Sequence, residues 1–223
     1  SNVRGVFPFV TATVSGSGNT LVTAPDCANA KIATFTGPGT FCVSSVGGCA
    51  ANNVVSYVVV AGGGGGGSWG GGGAGAGGYR EVKSPTTPYT ASPLDGYSTP
   101  ANRITLLAGS FPITVGGGGT APPSYPTRAC GSNGSNSIFS TITAAGGGRG
   151  GNENNPAQPN TNGAPGGSGG GSGNGGSGGV GNTPPTTPAQ GFSGGAGNTG
   201  AGAGYFGGGG GGASAVGGTA GPP

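Results

Sequence analysis

Glycine sets the limits on what this chain can be. It supplies 61 of the 223 residues, gathered in glycine-dominated runs at 62–67, 70–78, 116–119, 146–151, 163–181, 194–204 and 207–212. The usual share is about 7%. A run without side chains buries little apolar surface, yet fixing each backbone costs about 1–2 kcal/mol, and glycine has the most freedom to lose. Val, Ile, Leu and Phe supply 33 of the 223 residues, roughly 15%. That is below the ~20% at which a chain struggles to build an ordinary apolar core. Disorder driven by charge fits no better, because seven Lys and Arg stand against four Asp and Glu, for a net charge of +3.

Glycine is unevenly placed, and the chain divides near residue 60. Residues 1–60 read as a β-rich N-terminal domain or cap, and 61–223 as a glycine-rich domain with loop inserts at 79–103, 120–137, 152–162 and 182–190. In the first part, Gly5–Val14, Lys31–Thr36, Thr40–Val46 and Val54–Val60 have the β-branched and aromatic content of antiparallel strands. Gly37-Pro38-Gly39 is a turn signal. A hairpin centred on Pro38 sets Phe35 opposite Phe41 and Cys27 opposite Cys49. Two readings of the cysteines follow: either a Cys27–Cys49 disulfide clamps the hairpin base, or Cys27, Cys42, Cys49 and Cys130 are buried thiols. Their spacing holds no C-x-x-C pair of the zinc-binding kind.

The glycine runs also admit two readings. Gly/Ser-rich sequence is by default a flexible linker. Here, however, β-rich phrases lead into the glycine: Tyr57–Ala61, Phe111–Val115 and Ile138–Ala144. Order is the expectation, and it restricts the form. An extended helix of the polyproline-II type has three residues per turn and no internal hydrogen bonds, so only neighbouring rods can satisfy its N–H and C=O groups. Rods without side chains approach closely enough to do so. Collagen is excluded, since no strict Gly-X-Y period holds. The expected fold is all-β or irregular with essentially no α-helix: a small antiparallel β segment followed by a polyglycine-II bundle or sandwich with protruding loops.

The phrase Tyr57-Val-Val-Val-Ala-Gly62–Gly67, then Gly70–Gly78 with Tyr79-Arg80, Phe111-Pro-Ile-Thr-Val-Gly116, Ser137–Gly148 and Gly207–Gly212 with Ala213, resembles the glycine-rich domain of bacteriophage tail-fibre and adhesin proteins. The resemblance covers roughly residues 54–218, and Lys31–Phe41 is similar to the β segment that often precedes that domain. It implies a polyglycine-II sandwich in a virion appendage that works outside the cell. The implied partners are a host cell-surface glycan or outer-membrane protein and other fibre subunits, with the chain itself a homo-oligomer. It does not decide between a receptor-binding tip and a structural part of the fibre. The cysteines depart from what a particle assembled in a reducing cytoplasm would carry.

Receptor contact falls first on Tyr89, Tyr97 and Tyr125, aromatics in Pro-rich inserts without nearby apolar partners. Trp69, isolated between glycine runs, either stacks on a sugar or closes the edge of a glycine layer. Phe192, Tyr205 and Phe206 lie among glycines and read as covers for rods. Other chemistry is poorly supplied. Histidine is absent and Asp26, Glu81, Asp95 and Glu153 are scattered, so neither catalysis nor a metal site is expected. Polyglycine satisfies G-x-G-x-x-G trivially, without a following helix or ribose-binding acid, so no nucleotide cofactor is implied. The cations form no stripe for nucleic acid, and no apolar stretch is long enough to span a bilayer. With no Met anywhere, the chain reads as part of something larger. Two other classes stay open: a polyglycine-II ice-binding protein, against which the irregular inserts count, and a secreted glycine-rich filament or matrix protein.

Overall fold

The β-branched phrases become strands, while glycine takes a different path. The computed structural model describes residues 9–25, 27–123, 129–153, 160–199 and 206–221, the side chains of 27–29 excepted. The described strands are β1 (Thr11–Ser15), β2 (Thr20–Ala24), β3 (Cys27–Thr34), β4 (Gly39–Ser45), β5 (Tyr57–Val60), β6 (Tyr79–Val82), β7 (Gly109–Thr114), β8 (Ser137–Phe139) and β9 (Ile142–Ala144). Among the described residues there is no α-helix, only short 3-10 turns at Ala50–Asn53 and Pro100–Asn102. The fold is mainly β with antiparallel pairing and N-terminal strands, as the composition led one to expect.

Two compact units result. The first takes Ser1–Tyr57, Glu81–Val115 and Ile138–Ile142; the second takes Val58–Arg80, Gly116–Ser137 and Thr143–Pro223. Most of the insert expected at 79–103 therefore joins the β-rich unit. The reason is apolar content: Val82, Ile104 and Leu106 are buried there, in surroundings that bare glycine does not provide.

In the first unit a sheet runs in the order β1-β4-β7-β8-β9. Its register sets Phe41 opposite Phe111 and Ile113 opposite Phe139. The rings of Phe41, Phe111, Phe139 and Tyr57 meet at centroid separations between 6.0 and 6.5 Å, mostly edge to face. That is the arrangement the ring quadrupole favours. The Tyr57 hydroxyl donates to the Asn102 carbonyl at 2.7 Å, and Asn53 ties down Gly47 through both backbone groups.

The hairpin expected at Pro38 does not form. β3 pairs with β2, and β4 with β1, so 11–24 and 27–45 make one long antiparallel ribbon that reverses between Ala24 and Cys27. Gly37-Pro38-Gly39 marks a bend in that ribbon, opposite a second bend at Gly16 and Gly18, whose φ angles are 97° and 76°. Asn19 stitches the two bends together. Its Nδ2 donates to the Ser15 carbonyl at 2.8 Å, and its Oδ1 accepts from the Thr36 N–H at 3.0 Å. Cys27 thus lies opposite Ala24, not Cys49. Cys49 is an exposed free thiol, and Cys42 and Cys130 are free thiols of intermediate exposure. The Cys27 side chain lies outside the described residues. The register argument for a Cys27–Cys49 clamp falls with the hairpin.

The second unit is held by backbone bonds that recur every third residue. The N–H groups of Ala61, Gly64 and Gly67 donate to the carbonyls of Gly78, Gly75 and Gly72, while those of Gly62, Gly65 and Ser68 donate to Ser135, Ser132 and Ala129. Such a step is that of an extended helix with three residues per turn and bonds only to its neighbours. In chain order these rods are rod 1 (61–68), rod 2 (71–78), rod 3 (116–120), rod 4 (129–136), rod 5 (145–152), rod 6 (161–166), rod 7 (167–173), rod 8 (176–181), rod 9 (192–198), rod 10 (206–212) and rod 11 (217–220).

Following the bonds from rod to rod gives three layers. Rods 3, 1, 2, 10 and 11 lie side by side; rods 4, 5, 7 and 9 sit in the furrows beneath; rods 6 and 8 sit beneath those. Rod 7 is bonded on all sides, to rods 2, 5, 6, 8, 9 and 10. There a side chain has no room: a Cβ on Gly170 would meet the Arg149 carbonyl at well under 3.0 Å. Ser168 and Ser172 of the same rod are fully buried, and their hydroxyls donate to the carbonyls of Gly212 and Gly176. Where the third layer offers no rod beneath rods 4 and 5, side chains stand in. Asn136 and Asn133, three residues apart, each accept at 2.9 Å from the N–H of Gly146 and of Arg149. The stretch 129–136 had been expected within a loop insert.

Candidate functional site

The array has two ends, and its turns are sorted between them. Register places the turn 68–70, the turn at Asn174 and Gly175, and the bridge between Asn198 and Phe206 at one end. Thr120, Ala129, Asn152 and Asn160 also lie towards that end. The insert 182–190 and the turn 213–216 lie at the opposite end. The 182–190 insert is closely tied. Asn182 Oδ1 accepts from the N–H and hydroxyl of Thr186, and fully buried Gln190 accepts from the Ala145 N–H at 2.8 Å while donating to the Pro184 carbonyl at 2.7 Å.

Trp69 stands on the first of these ends. It is 46% exposed and has a φ of 48°, followed by Gly70 at 61°. A bulky residue in the left-handed region is uncommon and costs on the order of 1–3 kcal/mol. In a chain so rich in glycine, the residue that would relieve this strain is absent from the place that needs it. Phe206, 39% exposed, opens rod 10 at the same end, and Gly207 packs against the carbonyl of Gly71 two residues beyond Trp69.

Tyr89 and Tyr97 belong to the other unit. Tyr89 is 38% exposed. Tyr97 is half-buried and held: the Arg103 guanidinium carbon lies 4.4 Å from its ring centroid, and Arg103 Nε donates to its carbonyl at 2.7 Å. That contact is a cation–π pair. Around it the insert is organised by carboxylates. Asp95 accepts from the N–H groups of Lys83 and Tyr97 at 3.0 Å, and Glu81, 4% exposed, accepts from the Ser92 hydroxyl. Tyr125 lies outside the described residues. Of the aromatics singled out in the sequence, then, Tyr89 and Tyr97 share one ordered insert, and Trp69 stands on a different unit with Phe206. Nothing in the sequence brings Phe206 to the end that carries Trp69, because that placement depends on the register of rod 10 against rod 2.

Among the described residues no cluster of three His, Cys, Asp or Glu could hold a metal ion. No helix there is long and apolar enough to cross a membrane. The sequence model of a family described as a glycine-rich domain matches residues 35–223. The chain belongs to the glycine-rich domain family. The match takes in β4 and the later strands as well as the rods, but not β1, β2 or β3, so the glycine-rich domain extends beyond the glycine itself. No curated protein and no solved structure matches this glycine-rich domain.

Proposed function

We propose that this glycine-rich domain is part of a bacteriophage tail fibre and contacts the host cell surface, with a surface glycan or an outer-membrane protein as its receptor. The observation that carries the reading is Trp69: an exposed indole held on a strained left-handed turn at the end of a stiff array. Strain of this kind persists where the surrounding structure imposes it, and it concentrates at ligand-contacting positions. An exposed rigid aromatic is also a good interface anchor, losing little freedom on binding. The body behind it supplies stiffness without bulk, and its turns supply the variable contacts. Tyr89 offers a second contact on the β-rich unit. Other fibre subunits and further copies of the chain are the remaining partners.

The test is adsorption. Purified protein should label susceptible bacteria saturably and block phage attachment, and Trp69→Ala should weaken both while leaving the thermal midpoint unchanged or raised. Labelling that fails outright, with the protein assembling into fibres instead, would reassign it to a structural shaft or matrix role. One observation favours a second reading. The three-residue period of the rods supplies a regularity that the inserts lack, so an ice-binding face on the first layer is the alternative, checked by growing ice in the presence of the protein.

A further inference from the structure

The outer side of the first layer is bare where it need not be. A Cβ on Gly63, Gly66 or Gly212 would meet nothing nearer than 3.5 Å, and one on Gly218 nothing within 4 Å. Internal packing therefore does not demand glycine at these positions, in contrast to Gly170. The period of three shows which way they point. In rod 1 the rows beginning at Ala61 and Gly62 donate to rods 2 and 4, so the third row, Gly63 and Gly66, faces away from both. The N–H groups of Gly63, Gly66, Ala74 and Gly210 donate no hydrogen bond among the described residues, and the carbonyls of Gly64, Ala74 and Gly210 accept none. Rod 2 adds to this floor the methyl of Ala76, which is exposed. The opposite side of the array differs, since rod 8 there carries Val180, 63% exposed.

We propose that this face binds the same face of a second copy of the chain, forming a two-fold, face-to-face pair. The occupant follows from the pattern on offer. Free donors and free acceptors each recur along a rod at about 9 Å, three residues of 3.1 Å each, and a two-fold copy presents acceptors and donors at the same spacing in return. Direction is no obstacle. Rod 5 runs parallel to rod 1, with Gly147 and Gly150 donating to Gly62 and Gly65, whereas rod 2 runs antiparallel to it. Two layers of this chain already join by the same chemistry, and a second molecule would add a further junction of that kind. Five rods of about 20 Å, about 5 Å apart, give a face of roughly 400 Å² per partner, about half that of a standard stable interface. The pair is accordingly weak and concentration-dependent.

This proposal extends the homo-oligomer of the fibre reading by naming its surface, and it stands without the host receptor. The experiment is sedimentation of the full chain across a wide concentration series, comparing wild type with Gly63→Arg and Gly66→Arg. Both positions have room for a side chain, so the variants should keep the wild-type thermal midpoint. Wild type should show a monomer–dimer equilibrium that each substitution shifts at least tenfold towards monomer, while adsorption to cells by the monomer stays intact. A chain that is monomeric throughout, or a dimer indifferent to both substitutions, would overturn the proposal. So would a monomer that restrains ice growth and loses that effect in Gly66→Arg, which would give the face to ice. If the variants lose their midpoint as well, Gly218→Arg, on rod 11 of the same face, repeats the test. Loss of adsorption in Trp69→Ala with dimerisation unchanged would separate the two sites.

Discussion

A single methyl group distinguishes the glycines that this fold requires from those that it merely contains. Gly170→Ala forces a Cβ against the Arg149 carbonyl inside a rod that is bonded on all sides. With no flexible side chain to move aside, the array itself must shift, at a cost of about 1–3 kcal/mol or more. Gly63→Ala places the same methyl at ordinary van der Waals distance from the Gly75 carbonyl, at a φ outside the left-handed region, and trims the freedom of the unfolded chain. It should be neutral or stabilising by about 0.4–1 kcal/mol. Denaturant titration of the two variants checks the contrast, and equal losses would contradict the layer assignment. Trp69→Gly belongs with them: by relaxing the left-handed turn it should raise stability by about 1 kcal/mol while adsorption falls. A variant that adsorbs normally would remove Trp69 from the contact surface.

Rods are elements without a hydrophobic face, so their ends and vacant flanks depend on polar caps. Asn136→Leu removes the acceptor of the Gly146 N–H, which lies in a buried stretch, and an unmet buried donor costs about 1–3 kcal/mol. Faster hydrogen exchange at Gly146 than at Gly147, which still bonds to Gly62, would verify it. This dependence explains what the sequence could and could not show. The strands at 39–45 and 57–60 were legible because Phe41, Val43 and the Val58–Val60 run have strand-forming shapes. Rod 4 was not, because Ser132, Asn133 and Ser135 look like loop residues, and their value as acceptors appears only when a neighbouring rod is in place. Gly37-Pro38-Gly39 misled for a related reason: it is a sound signal for a bend, but the strand that pairs with 39–45 is 11–15 rather than 31–36, and Asn19 turned the bend into a stitch. At the candidate site, the isolation of Trp69 was visible in sequence, whereas its positive φ was not, since nothing about tryptophan announces that conformation.

Taken whole, the chain is stabilised by two unlike means. The β-rich unit has a ring cluster around Phe139, and the glycine unit has backbone bonds with little apolar burial. Exposure of apolar surface raises the heat capacity on unfolding and exposure of peptide groups lowers it. Calorimetry should therefore give a heat-capacity change well below the usual ~12–15 cal/mol/K per residue; a value in the normal range would mean that the rods hide more apolar surface than they show. The step of three residues also governs how such a molecule can vary in length. Adding three residues to a rod inserts one full turn, so every later N–H still points at its old neighbour. Adding one or two rotates the remainder by about a third or two-thirds of a turn, and a side chain such as the exposed Ala76 methyl then turns against a neighbouring backbone, where a Cβ on Gly77 would already meet the Ala61 carbonyl. Length in the rods is therefore quantised: a domain of this design grows or shrinks by whole turns, and single-residue insertions are confined to the turns between them.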